Sequence, residues 1–462
     1  MLQIALAQRS RLRRSLDETA VKYLPPVQAS DMSIAELSKV AMWQGAEMRG
    51  TLAWYRQVAD DLMPAKFRIS RCVPVEISLA EASEEVLWHE LETKTPEFLS
   101  LFHEIRDGER DLPEALVGAN VPTTSAKSQP NLLDLCRELS QRMLSHCNFC
   151  RWDCQVDRRH DTKLGTCKLA GDSRVSTFFH HQGEELIYRG QMGSGTIFFT
   201  SCNMRCAFCQ NGDISTDKDN GEAVTPRTLA TMAWLLRNEG CHNVNWVGGE
   251  VTIHLHTIVE AISLLAELQP TDEDLRAALP AKNDFYRLVR CNSDGAPYRG
   301  GFNAPMLWNS NFFMSLETMK ILRLLIDVWL PDFKFGPGRC AVMLSKTPWY
   351  WETVTGNLKM IYDWGEDFTI RHLVMPNHVE CCTRPVLEWI ADNMPDALVN
   401  IMDQYHPDNF CDPRSPKYRK EYVQISRRTT SREILQAFSY AKELGLNFES
   451  LSYEKNTTGL RL

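Results

Sequence analysis

Three cysteines, Cys202, Cys206 and Cys209, stand at C-x3-C-x2-C spacing just after the apolar run Ile197–Phe199. Thiolates bind iron–sulfur clusters and zinc, and they must lose their protons to do so. Three protein ligands leave one position at the metal open, and an open position is where a metal does chemistry. The pattern predicts a reactive metal centre in a loop after a strand. The alternative is a zinc site completed by a distant histidine.

Two glycines and an acid, Gly248, Gly249 and Glu250, follow a second apolar run that ends at Val247. Glycine lets the backbone approach a neighbouring group closely, because it carries no side chain. The motif therefore predicts a close contact at the end of a second strand, with a simple strand-to-helix turn as the alternative.

Further polar side chains stand at the ends of later apolar runs, where an inert scaffold would not require them. Asn309 and Ser310 end one run, and Asp332 and Lys334 end the next. Strand alternation would point Asp332 and Lys334 to one side, either as functional groups or as a structural ion pair. His378 follows a fifth run and is interpreted as a binding residue, although an isolated histidine is more often structural.

A second cysteine group precedes the first, with Cys147, Cys150 and Cys154 at C-x2-C-x3-C spacing and then Cys167. Four cysteines can close a tetrahedral site, for which zinc is the simplest occupant. An auxiliary iron–sulfur cluster is the other metal hypothesis, unused thiols are a third, and spacing alone does not separate zinc from iron. The remaining cysteines are interpreted as buried or incidental: Cys72, Cys136, Cys241, Cys291, Cys340, Cys381, Cys382 and Cys411.

Composition narrows the class of protein. The chain has 462 residues, 44% of them hydrophobic, and a net charge of −8, which argues against a general nucleic-acid surface. No apolar run approaches the ~20 residues that span a bilayer, so we expect no membrane insertion. Seven of the fifteen cysteines fall between Cys147 and Cys209, and such clustering without a secretory signal favours metal sites over disulfides. The arginine-rich segment Met1–Leu16 is interpreted as an ordinary cytoplasmic N-terminus.

The site motifs stand among alternating strands and helices from about Gly195 onward. Short apolar strands separated by helices indicate parallel pairing through right-handed crossovers, and in barrels of that kind the chemistry gathers at the carboxyl ends of the strands. The predicted strands are Thr196–Thr200, Val244–Val247, Met306–Asn309, Val328–Phe333, Thr369–Met375 and Leu398–Asp403.

The chain divides into three predicted regions. Residues 1–140 form a mostly helical accessory region, with helical periodicity over Ser33–Leu62 and Glu84–Ile105 and a linker at Gly118–Pro130. Residues 141–190 form the four-cysteine metal-binding segment, and residues 191–462 form the barrel. An insertion at about 269–303 is long enough to cover a substrate.

From about Cys147 to the C-terminus the chain resembles the radical S-adenosylmethionine (SAM) superfamily. The motifs are the cysteine triad with Phe208 before its last member, Gly248-Gly249-Glu250, and Asp332-x-Lys334. The four-cysteine segment and Met402-Asp403-Gln404-Tyr405 resemble a group of uncharacterised members related to pyruvate formate-lyase activating enzymes. The resemblance implies an α/β fold, a partial (β/α)6 TIM-like barrel.

The resemblance also implies cofactors and residue roles. The triad would bind three irons of a [4Fe-4S] cluster whose fourth iron chelates SAM, beside zinc or an auxiliary cluster at the Cys147 group. Asp332 and Lys334 would face SAM and a peptide substrate. The predicted SAM contacts are Phe208, Gly248, Gly249, Glu250, Asn309, Ser310 and His378.

The implied activity is that of an oxidoreductase. Flavodoxin or ferredoxin would reduce the cluster, SAM would be cleaved to methionine and a 5′-deoxyadenosyl radical, and the radical would take a hydrogen from a substrate. That substrate is a protein glycine if the chain acts like a glycyl-radical activase. The alternatives are radical modification of a peptide, RNA or small molecule, and a non-catalytic, metal-stabilised binding module.

Overall fold

The computed structural model describes residues 50–112, 129–160, 163–283 and 301–453. Met1–Leu16, most of the helical stretch Ser33–Leu62, almost all of the linker Gly118–Pro130, and Cys291 with the centre of the insertion lie outside the described residues. None of the described helices is long and apolar enough to cross a lipid bilayer.

Six parallel strands form the framework of the described chain. β2, β4, β5 and β6 are neighbours in that order, and β7 pairs with β8. Parallel bridges from Trp329 to Phe368 and from Asp332 to Arg371 connect β6 to β7. The strands are β1 (Ser173–His181), β2 (Ser194–Phe199), β3 (Glu222–Val224), β4 (Val244–Gly248), β5 (Met306–Ser310), β6 (Val328–Pro331), β7 (Thr369–Leu373) and β8 (Leu398–Met402).

The six predicted strands and the partial barrel are therefore confirmed. The structure adds β1 and β3, which extend the sheet beyond β2 by antiparallel pairing. They cover an edge that an open parallel sheet would otherwise expose.

Helices connect the strands in the sequence expected of βα units. The described helices are α1 (Ala53–Ala59), α2 (Lys66–Ser70), α3 (Glu84–Arg106), α4 (Leu132–Arg142), α5 (Leu186–Arg189), α6 (Gly212–Ser215), α7 (Pro226–Asn238), α8 (Leu255–Leu265), α9 (Asp272–Ala278), α10 (Leu316–Arg323), α11 (Cys340–Ser345), α12 (Tyr350–Asp363), α13 (Arg384–Asn393), α14 (Ser431–Glu443) and α15 (Glu449–Ser452).

Local sequence sets the ends of these helices. Thr225 caps α7, accepting from the amide of Thr228 ahead of Pro226. Thr430 and Glu433 form a capping box at the start of α14, and Gly445 beyond its end has a φ of 72°.

The N-terminal helices close the amino end of the barrel. Asp327, just before β6, accepts hydrogen bonds from Trp54 Nε1 (2.8 Å) and from the Lys66 amide (2.9 Å). Asp367, just before β7, accepts from the Tyr55 amide at 2.8 Å. Strand amino ends lie opposite the face where chemistry gathers in such barrels. The described part of residues 1–140 is thus packed into the barrel as its floor and shares its hydrophobic core.

Candidate active site

The cysteine triad lies in a loop that continues from β2. Ser201 begins the loop with a φ of 65°, and its amide donates to the Ile214 carbonyl at 2.8 Å. The amides of Arg205 and Ala207 donate to carbonyls of α11 at 2.9 and 2.7 Å. These bonds fix the loop on both sides, so the thiols are held by rigid elements.

The three thiols have the chemistry expected of metal ligands. Burial raises the pKa of Cys202 well above its usual range, raises that of Cys206 to about 12, and raises that of Cys209. Three buried thiolates would repel one another, and a cation between them is what allows all three to ionise. The donor set therefore fits a cationic cluster.

A single metal ion and an iron–sulfur cluster require different distances between their cysteine sulfurs. A tetrahedral zinc with Zn–S bonds of about 2.3 Å brings its sulfurs to about 3.8 Å from one another. Within the described residues, a single group of three or more His, Cys, Asp or Glu side chains has all its ligand atoms within 4.8 Å, and it includes neither the triad nor the Cys147 group. Cluster thiolates each bind a different iron and stand farther apart. Neither group has the close spacing of a preformed single-ion site, and the choice between zinc and an iron–sulfur cluster at the Cys147 group stays a prediction.

Gly248 and Gly249 pack against the start of the cysteine loop. A Cβ on Gly248, whose φ is 151°, would overlap the backbone of Phe199, and a Cβ on Gly249 would overlap the Ser201 carbonyl oxygen. The glycines thus allow the end of β4 to lie directly on the end of β2.

Glu250 joins the ends of β4 and β5. Its carboxylate accepts from Ser310 Oγ at 2.7 Å, from the Asn311 amide at 2.9 Å and from the Thr252 amide at 3.0 Å. Burial raises its pKa in spite of these donors. Asn311 Nδ2 in turn donates to Asn203 Oδ1 at 2.7 Å, so the chain of bonds reaches the cysteine loop.

A charged network occupies the ends of β6 and β7. Lys334 Nζ lies 2.7 Å from Asp332 Oδ2, Arg371 Nε lies 3.2 Å from Asp332 Oδ1, and Arg371 also contacts Glu184 at 3.3 Å. Arg371 donates to Asn309 Oδ1 as well. We call Glu184, Asn309, Asp332, Lys334 and Arg371 the strand-end network.

The opposite charges of the network stabilise one another, and the network extends to the cysteine triad. Burial would raise the pKa of Asp332, but Lys334 and Arg371 hold it below its usual value. Burial would lower the pKa of Lys334, but Asp332 and Cys206 raise it. Because Lys334 interacts with Cys206, the network borders the cysteine loop.

Two members of the network were not predicted. Arg371 interrupts the apolar run of β7, and a cation inside a buried strand is a signal that could have identified it. Glu184 follows β1 and carries no local signal. Its neighbour Glu185 has a pKa raised to about 8 by burial and by the Glu184 charge.

The remaining predicted SAM contacts lie in different parts of the site. Asn309 belongs to the strand-end network and Ser310 to the Glu250 contacts. The Phe208 ring is buried, 6.0 Å from that of Phe335 and 5.9 Å from that of Tyr405 between centroids. The His378 ring contacts cysteines after β7, with Nδ1 3.2 Å from Cys381 Sγ.

The four-cysteine segment packs against the cysteine loop. Trp152 Nε1 donates to the Asn203 carbonyl at 2.7 Å, and Ser201 Oγ donates to the Cys167 carbonyl at 2.5 Å. Cys147, Cys150 and Cys167 are buried, and Cys154 is half-buried. Any metal held by this segment would therefore lie beside the triad.

Comparisons with known proteins identify related sequences. The family model of the radical SAM superfamily matches residues 196–293, a segment that contains the triad and Glu250. Uncharacterised protein MJ0674 of Methanocaldococcus jannaschii is 34% identical over 405 residues, which cover 86% of this chain and 98% of that protein.

Two solved structures of Streptococcus suis SuiB, one bound to its precursor peptide SuiA and one bound to SAM, are 12% identical with a TM-score of 0.33. The matches cover 54% of this chain and 46% and 48% of those chains, so the chain spans about half the length of SuiB. The cofactors of the matched family are a [4Fe-4S] cluster and SAM, which the donor set of the triad fits. With a family match over the triad and a relative aligned almost from end to end, this chain belongs to the radical SAM superfamily.

Proposed function

We propose that this radical SAM enzyme takes hydrogen from the α-carbon of a glycine in a partner protein, as a glycyl-radical activase does. The observation that carries the proposal is the strand-end network beside Cys206. Its carboxylates accept hydrogen bonds and its cations donate them, which matches the alternating N–H and C=O groups of a peptide backbone.

The charge balance supports a peptide over a nucleic acid. Glu184 and Asp332 offset Lys334 and Arg371, and burial beside the Glu184 charge raises the pKa of Glu185, which disfavours a further negative charge. RNA binding requires an excess of positive charge to meet the phosphates. A neutral network with both donors and acceptors suits an uncharged backbone.

The same proposal assigns roles to the cofactor residues. Cys202, Cys206 and Cys209 would hold the [4Fe-4S] cluster, and Gly248, Gly249, Glu250, Asn309, Ser310 and Phe208 would line the site for SAM. When bound and reduced by a flavodoxin or ferredoxin, these cofactors supply a 5′-deoxyadenosyl radical and methionine. Lys334 and Asp332 orient the peptide, and the packed strand ends exclude water from the reacting atoms.

The first experiment tests SAM cleavage. The full chain is reconstituted without oxygen, its iron is counted, and dithionite and SAM are added. We expect 5′-deoxyadenosine from the iron-loaded protein. Its absence, with iron present, would overturn the enzymatic role and leave the non-catalytic binding module.

The second experiment tests the glycine. The reduced enzyme and SAM are mixed with an extract of host cells grown on glycine that carries deuterium at its α-carbon. We expect deuterium in 5′-deoxyadenosine, measured by mass spectrometry, and we expect it to vanish when protein is removed from the extract but to survive removal of RNA. Deuterium-free 5′-deoxyadenosine would refute the glycine substrate while leaving SAM cleavage intact.

A further inference from the structure

A third group of cysteines lies on the same face of the barrel, outside the triad and the four-cysteine segment. Cys340 begins α11, in the loop that follows β6. Cys381 and Cys382 lie in the π-helical turn Val379–Thr383 that follows β7, and His378 directly precedes that turn. The ligand atoms of these four side chains all lie within 4.8 Å of one another. Cys340, His378 and Cys382 are buried, whereas Cys381 is exposed.

The distances fit one tetrahedral ion. His378 Nδ1 lies 3.5, 3.2 and 3.8 Å from the sulfurs of Cys340, Cys381 and Cys382. The Cys340 and Cys381 sulfurs are 3.6 Å apart, and those of Cys381 and Cys382 are 4.0 Å apart. Bonds of about 2.3 Å to sulfur and about 2.0 Å to nitrogen give tetrahedral edges of about 3.8 Å and 3.5 Å.

A disulfide or a set of hydrogen bonds accounts for the group less well than a metal ion does. The Cys340–Cys381 separation of 3.6 Å is far from the ~2.05 Å of a disulfide. Thiols are weak donors and acceptors, so hydrogen bonding alone gives little reason to gather three of them around one imidazole. The Nε2 atom of His378 is buried without a partner in the structure, so the ring is positioned through Nδ1 and the sulfurs.

We propose that Cys340, His378, Cys381 and Cys382 bind one Zn²⁺ ion. Three thiolates and one imidazole are a common structural zinc set, and four protein ligands close the tetrahedral shell, so the ion is structural. It ties the loop after β6 to the turn after β7. Asp332 directly follows β6 and Arg371 lies in β7, so the ion holds the two halves of the strand-end network together.

The backbone around the group supports a fixed junction. A Cβ on Gly336 would overlap the carbonyl oxygen of Cys381, so the two loops already touch at a position where only glycine fits. The exposed Cys381 gives an ion access to the site from solvent.

Metal analysis of the full chain tests the proposal without any activity measurement. Wild type, Cys340→Ala, Cys382→Ala and the control Cys72→Ala are purified with limiting zinc and passed over a chelating resin, and retained zinc is counted. Cys72 is a half-buried thiol outside the group. We expect each of the first two variants to lose about one zinc per chain and the control to lose none. Equal zinc in all four proteins, or iron in place of zinc at this group, overturns the site.

Two variants of His378 test the zinc site independently, in case a cysteine variant folds poorly. His378→Cys retains four donors and should keep zinc, whereas His378→Ala should lose it. Cobalt substituted for zinc should give thiolate charge-transfer absorption in wild type and His378→Cys that is weaker in His378→Ala. Identical zinc content and spectra for the two variants, or a Cys340–Cys381 disulfide found by mass spectrometry of freshly purified protein, would contradict the proposal.

Discussion

The amino and carboxyl ends of the barrel both hold buried charges, but the two sets are built differently. At the amino end, Lys66 Nζ pairs with Glu366 at 2.5 Å, and the two side chains are 3% and 4% exposed. At the carboxyl end, the exposed fractions of Lys334, Asp332 and Arg371 are 24%, 14% and 15%.

The difference lies in what covers each set. N-terminal helices seal the amino end, so its charges are bonded within the protein and out of reach of a substrate. The carboxyl end keeps its charges partly accessible beside the thiols. A buried ion pair therefore does not identify a functional site by itself. An ion pair indicates a functional site when it lies at the carboxyl end of a strand and remains partly accessible to solvent.

We expect the largest effect when a cysteine at the carboxyl end of the barrel is substituted and compared with a cysteine at the amino end. Cys206→Ala removes a cluster thiolate and should reduce SAM cleavage to background, measured as 5′-deoxyadenosine per iron-loaded chain. Cys241, buried just before β4 at the amino end, is the matched control. Cys241→Ala should cleave SAM normally. Equal loss in both variants would mean that the assay reports folding rather than the site.

The second prediction concerns the replacement of one lysine by methionine at the amino end and one at the carboxyl end of the barrel. Lys66→Met leaves Glu366 buried without its partner, which should lower the free energy of unfolding by about 3–5 kcal/mol. Lys334→Met should lower deuterium transfer from the labelled extract about 100-fold by misplacing the substrate, with a smaller loss of stability. Urea unfolding and transfer rates measure both effects. A larger loss of stability in Lys334→Met and a larger loss of deuterium transfer in Lys66→Met would contradict the proposed difference between the two ends.

Asp367 gives the amino end a pH dependence. Burial raises its pKa to about 8 from a usual value of 3.8. The folded state therefore holds a proton that the unfolded state releases, so this group's contribution to stability is complete below about pH 4 and declines as the pH rises to about 8.

Asp367→Asn should then stabilise the protein more at pH 8 than at pH 5, as measured by thermal unfolding at both values. The asparagine side chain can still accept from the Tyr55 amide, so the hydrogen bond is kept. An equal change in melting temperature at the two pH values would show that the carboxyl does not titrate in this window.

The smallest expected effect concerns one hydrogen bond. Trp54→Phe removes the indole donor to Asp327 but keeps most of the ring, including its edge-on contact with Phe102, with centroids 4.8 Å apart. We expect a loss of about 1–3 kcal/mol in the free energy of unfolding and unchanged SAM cleavage. A loss of cleavage without a loss of stability would instead connect the floor of the barrel to its active face.

The sequence predicted the framework well, because most of the parallel strands are short, mainly apolar runs with largely buried side chains. It did not predict β1 or β3, since edge strands with mixed polarity give a weak pattern. The triad, Gly248–Glu250 and the Asp332–Lys334 pair were found because each motif is local.

Residues brought together over long distances were missed. Arg371 and Glu184 are separated by 187 positions, and Cys340 precedes His378 by 38 positions. Cys340, Cys381 and Cys382 were interpreted as buried or incidental because no spacing rule joins a cysteine after one strand to a vicinal pair after the next. The role of the N-terminal helices was also not predictable, since their partners lie at the amino ends of distant strands.

The floor of the barrel has a consequence for the synthesis of the protein. Trp54 and Asp327 are separated by 273 positions, and at about 5–20 residues per second a ribosome needs roughly 15–55 s to make the intervening chain. During that time Trp54, Tyr55 and Phe67, all buried in the finished molecule, have no barrel to pack against. The nascent N-terminal helices therefore lack their barrel contacts until β6 has been synthesised.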